Sequence, residues 1–88
     1  MNVSTRQGTV EDIPAAYELV KELAIYERAL DQVTNTIEKM TRDYQEKLFD
    51  FFVAEMDGKI IGLSLYYFRY STWKGKRLYL EDIIVTED

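Results

Sequence analysis

Two adjacent acids, Glu81 and Asp82, stand inside an otherwise apolar run, Leu78-Tyr79-Leu80-Glu81-Asp82-Ile83-Ile84-Val85. Strict alternation puts Leu78, Leu80, Asp82 and Ile84 on one face of a strand and Tyr79, Glu81, Ile83 and Val85 on the other, one acid per face. A carboxylate taken out of water without a partner costs several kcal/mol or has its pKa driven upward. A like charge beside it raises one of the two pKa values further, which suits a proton acceptor. The alternative is two acids at a frayed strand end or a bulge. A third acid, Glu27, continues the apolar spacing of an upstream helix; it either joins that helix's buried face or is an exposed charge at a fraying end.

The chain has neither cysteine nor histidine. That removes disulfide frameworks, Cys- or His-based triads and zinc sites of the usual ligand types. Acid–base chemistry falls to Glu, Asp, Tyr or Lys. Sixteen acids against eleven bases give a net charge of −5, the wrong sign for sequence-independent nucleic-acid binding and the helpful sign for drawing in a cationic amine. No charged-then-apolar leader opens the chain and no apolar run approaches about 18 residues, so a soluble, cytoplasmic protein that engages no membrane is expected. With 47% hydrophobic and 14% aromatic residues in 88, the expectation is one small folded domain, or part of a larger one, with a modest core.

The elements that must position these acids follow in order. Residues 3–7 read as a short strand. Thr9 and Asp12 fit a capping box or turn, and Asp12 as N-cap puts Pro14 in the first turn of a helix over about 13–30. Its apolar stripe is Ile13, Ala16, Tyr17, Val20, Leu23 and Ala24. Residues 31–36 read as a loop. Asn35 or Thr36 caps a second helix whose face is Ile37, Met40, Tyr44 and Leu48. Strands over 51–56 and 59–70 flank Asp57-Gly58, a strong hairpin marker because both central positions of a type I′ turn need positive φ. The second of these strands is apolar on both faces and reads as central. A loop over 71–76 leads to the acid-bearing strand, and Tyr66, Tyr67, Phe68, Tyr70 and Trp73 concentrate beside it. Aromatics there serve packing, or wall an alkyl-ammonium site. The order is β-α-α-β-β-β.

Thr9-x-x-Asp12, Leu23-Ala24-Ile25-Tyr26-Glu27, Met56-Asp57-Gly58-Lys59-Ile60-Ile61-Gly62 and the run from Leu78 to Val85 together resemble the N-terminal half of a GNAT-superfamily N-acetyltransferase. Tyr67-Phe68-x-Tyr70-Ser71-Thr72-Trp73-x-Gly75-Lys76 is similar to the spermidine/spermine and thialysine (diamine) branch. The resemblance implies an α+β fold, a four-stranded, largely antiparallel sheet with two helices on one face. It implies transfer of an acetyl group from acetyl-CoA to a primary amine of a small diamine, polyamine or thialysine-like substrate. On matching positions, Tyr26, Glu27, Trp73, Glu81 and Asp82 would contact the amine, and Glu81 would act as base through a water. The backbone of Ile83, Ile84 and Val85 would hold the pantetheine arm of acetyl-CoA. Ser71 and Thr72 stand where spermidine/spermine enzymes carry an acid, which favours a thialysine-like or generic diamine substrate. The family's Arg/Gln-x-x-Gly-x-Gly/Ala loop, which holds the CoA pyrophosphate, would follow residue 88. The 88 residues therefore read as a single partial domain, inactive alone and joined as a homodimer or higher homo-oligomer. The rival reading is a non-catalytic oligomerising module on the same fold.

Overall fold

The computed structural model describes residues 3–86. Strand β1 (Val3–Gln7) leads through a 3₁₀ turn at Val10–Asp12 into helix α1 (Ile13–Tyr26). A second 3₁₀ turn at Leu30–Gln32 precedes helix α2 (Ile37–Gln45), and β2 (Asp50–Met56), β3 (Lys59–Ser71) and β4 (Gly75–Val85) follow. The strands form one antiparallel sheet in the order β1-β2-β3-β4, so β3 is central as expected.

Both helices lie on one face of this sheet. Ile13, Ala16 and Leu19 of α1 and Met40 of α2 bury against Phe51, Val53, Leu63 and Ile84. Leu19 was absent from the anticipated stripe, whereas Leu48 lies beyond α2 and is exposed. The stripe in fact advances by three residues at a time through Ile13, Ala16 and Leu19, with Tyr17, Val20 and Leu23 packed at its margin. Thr36 caps α2, its hydroxyl accepting from the Lys39 N–H at 3.1 Å.

Helix α1 ends four residues earlier than its apolar spacing suggests. Arg28 turns to φ 56°, the Ala29 N–H donates to the Ala24 carbonyl at 2.8 Å, and the Arg28 N–H donates to that of Ile25 at 3.0 Å. This pair of bonds is a Schellman motif, which satisfies the last carbonyls of the helix and stops it. Helix α2 ends the same way around Lys47 at φ 64°, with Leu48 donating to Asp43 and Lys47 to Tyr44.

The Asp57-Gly58 turn has both residues at positive φ, 53° and 79°, as a type I′ hairpin requires. Gly8 is needed for a different reason. A Cβ there would come within 2.0 Å of the Phe51 ring, which is wholly buried.

Sheet pairing corrects the simple alternation read for β4. Leu65 pairs with Asp82 but Tyr66 pairs with Leu80, so Glu81 is the extra residue of a β-bulge. The bulge exchanges the two faces of everything N-terminal to it. Tyr79 therefore shares a face with Asp82 and Ile84, whereas Leu78 and Leu80 share the opposite face with Ile83 and Val85.

Candidate active site

The acids of β4 do sit at a bulge, and the bulge is what groups them. Two consecutive acids oppose the single residue Leu65, and Asp82 lies on the face covered by the helices. Asp82 is half-buried. Burial, first, and then the charges of Glu81 and Glu27 hold its carboxyl above the usual range. Glu27, although exposed, thus belongs to the same cluster rather than being an unrelated surface charge.

Glu27 reaches this position because α1 stops at Tyr26. It is the C-cap residue, where the carbonyl end of the helix carries partial negative charge. Three carboxylates and a helix C-terminus therefore converge at one edge of the sheet. Such a field repels anions and favours an ammonium group, whose positive charge would offset the mutual repulsion of the carboxylates.

Beside the acids, a cavity of about 390 Å³ opens between α1 and β4, lined by Glu22, Leu23, Ile25, Tyr26, Ile84 and Val85. Tyr26 is 71% exposed at its mouth. The side chains of Ile83 and Val85 face away from the helices and are exposed, while Ile84 is buried in the core. Since β4 is an edge strand, one side of its backbone has no neighbouring strand among the described residues. The strand end is fixed by Thr86, whose N–H donates to the Ile61 carbonyl at 2.8 Å and whose hydroxyl donates to Glu22 at 2.7 Å. Glu22 was not singled out from sequence; its helical spacing of four from Tyr26 places both on one face.

Trp73 is not brought to this cluster. It lies in the β3–β4 turn, 91% exposed, beside Arg69, Lys74 and Arg77. Gly75 and Asp82 are seven steps apart along the strand, roughly 23 Å at strand spacing. Tyr67 stacks on Tyr79 with centroids 5.7 Å apart on the acids' face, so part of the aromatic concentration is packing across the hairpin. The wall of aromatics anticipated next to the carboxylates is divided between the two faces of the sheet.

No protein-family model matches the chain. It is 36% identical over 67 residues to the thialysine N-epsilon-acetyltransferase of Caenorhabditis elegans, covering 76% of this chain and 42% of that protein. It is 38% identical over 93 residues to the enzyme of that name from Bos taurus, covering 94% of this chain and 55% of that protein. A human spermidine/spermine N(1)-acetyltransferase-like protein 1 is 38% identical over 91 residues, covering 93% of this chain and 13% of its own length. The chain thus spans about half or less of the curated relatives it matches. Among solved structures, glucosamine-6-phosphate N-acetyltransferase from Arabidopsis thaliana superposes with a TM-score of 0.70 at 21% identity, covering 99% of this chain and 62% of that one. A predicted acetyltransferase from Clostridium acetobutylicum, solved with acetyl-CoA, gives 0.71 at 18% identity, covering 98% and 61%. The chain is thus similar over most of its length to thialysine and spermidine/spermine-type acetyltransferases, and its two helices and four-stranded sheet are the N-terminal part of the GNAT acetyltransferase fold.

Proposed function

We propose that these residues form the amine-binding half of an acetyl-CoA-dependent N-acetyltransferase acting on a primary amine of a small diamine or thialysine-like substrate. The observation that carries this reading is the convergence of Glu27, Glu81 and Asp82 at the end of α1. An alkyl amine has a pKa near that of lysine, about 10.4, and arrives protonated. The acids hold it, and Glu81 accepts its proton through a water. The freed nitrogen lone pair then attacks the thioester carbonyl, the C–S bond breaks, and the departing thiolate takes up a proton. The exposed backbone edge at Ile83–Val85 runs beside the cavity at Tyr26 and suits the amide-bearing pantetheine arm, which can pair with a free strand edge.

The experiment is acetyl-CoA-dependent acetylation of an amine panel by a protein containing these residues together with the remainder of the fold. Glu81→Gln is expected to lower kcat by about 100-fold or more if it is the base, whereas Glu27→Gln should chiefly raise KM for the amine. Unchanged kinetics in Glu81→Gln would remove the assigned role. For the 88 residues alone, calorimetry should show weak acetyl-CoA binding or none, because one strand edge supplies few hydrogen bonds. A low-micromolar dissociation constant would overturn that expectation.

One further observation favours assembly. The sheet face opposite the helices exposes Phe52, Phe68, Leu78, Leu80, Ile83 and Val85. In our reading the 88 residues self-associate through this face or along the β4 edge.

A further inference from the structure

The outer half of the β3–β4 hairpin carries a charge of the opposite sign to the rest of the molecule. Residues 58–80 contain Lys59, Arg69, Lys74, Lys76 and Arg77 and no acid, so all sixteen acids lie elsewhere. Arg69 and Arg77 are direct cross-strand partners on the face shared by Tyr67 and Tyr79. Like charges directly opposite one another on neighbouring strands destabilise a sheet, and among the described residues no carboxylate pairs with either. The Arg69 guanidinium lies 5.9 Å from the centroid of the Tyr79 ring, itself stacked on Tyr67, so this arginine is held over the sheet. Around the pair is an open hollow of about 530 Å³, which Ser71, Trp73 and Lys74 also line. The Ser71 hydroxyl accepts from the N–H groups of Trp73 and Lys74, each at 3.2 Å, which fixes the turn carrying the tryptophan.

We infer that Arg69, Arg77 and Lys74 form a binding site for the phosphoryl group of a small ligand, with Trp73 offering a stacking surface to a planar ring next to that group. Two guanidinium forks and an ammonium match a dianion with several acceptor oxygens. Bound phosphate removes the repulsion that the empty hairpin carries. The site stands apart from the acid cluster and does not depend on acetyl transfer.

Trp73 is the sole tryptophan, so its fluorescence reports the site directly. The purified chain is titrated with inorganic phosphate, AMP and adenosine at ionic strength held constant with sodium chloride. Phosphate and AMP should each give a saturable change and adenosine none. AMP binding more tightly than phosphate identifies a nucleotide-type ligand, and equal affinity identifies the oxyanion alone. Arg77→Ser should weaken binding by about tenfold or more, the loss of a charge-assisted pair, whereas Lys76→Ser, on the opposite face, should change it by less than about twofold. Arg77→Ser should also raise the melting temperature in the absence of ligand, because it relieves the cross-strand repulsion. The inference is overturned by a response no larger than that to sodium chloride, by equal binding in Arg77→Ser, or by a lower melting temperature in that variant, which would make the arginine a structural prop.

Discussion

Asp12 and Asp82 are the same side chain pushed in opposite directions by what surrounds them. Arg6 donates to both Asp12 oxygens, at 2.7 and 2.9 Å, and the Thr9 N–H adds a third bond at 2.8 Å. The Arg6 hydrogen bonds, outweighing burial, lower the Asp12 carboxyl from 3.8 to about 2. Arg6 also donates to Glu55 and so ties β1 to β2 and to the start of α1. Because the folded value lies below the unfolded one, the stability Asp12 contributes is present above about pH 4 and is lost as the pH falls toward about 2. Asp82 has the reverse sign. Its raised value means that the folded state holds the proton more tightly, so its contribution is present at low pH and lost as the pH rises through that value. Thermal melts at pH 7 should therefore separate two isosteric variants. Asp12→Asn is expected to lose about 2 kcal/mol through a broken charge-assisted network, whereas Asp82→Asn should gain stability. Equal effects of the same sign would show that the two environments do not differ as described. A third test is Gly8→Ala, whose methyl group must displace the Phe51 ring. Overpacking of that kind costs about 1–3 kcal/mol, and an unchanged denaturation midpoint would mean that Phe51 moves freely.

At the scale of elements, the features legible in the sequence were those with local chemical markers. Asp57-Gly58 announced its hairpin because only a few residue types accept two successive positive φ values, and Asn35-Thr36 announced the start of α2, where Thr36 proves to be the capping residue. The ends of both helices were hidden because the left-handed position of each Schellman motif is occupied by Arg28 or Lys47 rather than glycine. The bulge at Glu81 was hidden because it arises from the register of β4 against β3, and no glycine or proline marks it. That omission mattered for the site: strict alternation separates the two acids onto opposite faces, whereas the bulge sets both against Leu65. The ion pair of Arg6 with Asp12 went unread because it joins two elements through their packing. Occupancy of the left-handed region by a residue with a Cβ costs about 1–2 kcal/mol, part of which glycine would return despite its greater unfolded-state freedom. Lys47→Gly is thus expected to stabilise the chain by up to about 1 kcal/mol, measured by urea denaturation with an unchanged slope. A loss of stability would show that the lysine side chain makes a contribution beyond its backbone.

At the scale of the whole molecule, the radius of gyration is 13.9 Å, with principal extents of 44 × 32 × 22 Å. A compact chain of this length would have a radius of about 12 Å. The difference reflects the long β3–β4 hairpin, which runs past the helices and leaves apolar residues bare on both strands. On the face opposite the helices, Phe52 stacks against Tyr66 with centroids 5.8 Å apart, and Tyr66 meets Phe68 edge-on at 6.4 Å. Leu78 and Leu80, 61% and 56% exposed, lie beside them on β4. This is a contiguous apolar surface next to a strand edge that has no neighbour among the described residues, a combination that favours recruiting a second chain. Isologous pairing of two copies, either face to face or edge to edge along β4, would take one of these surfaces out of water. Light scattering at micromolar concentration should accordingly return a mass of at least twice the 10.4 kDa chain. Phe52→Lys with Leu80→Lys should shift the distribution toward monomer while circular dichroism stays the same, because neither residue touches the helices. A monomer at all accessible concentrations in the unaltered chain would sink the assembly reading, since the exposed face would then be tolerated in water without a partner.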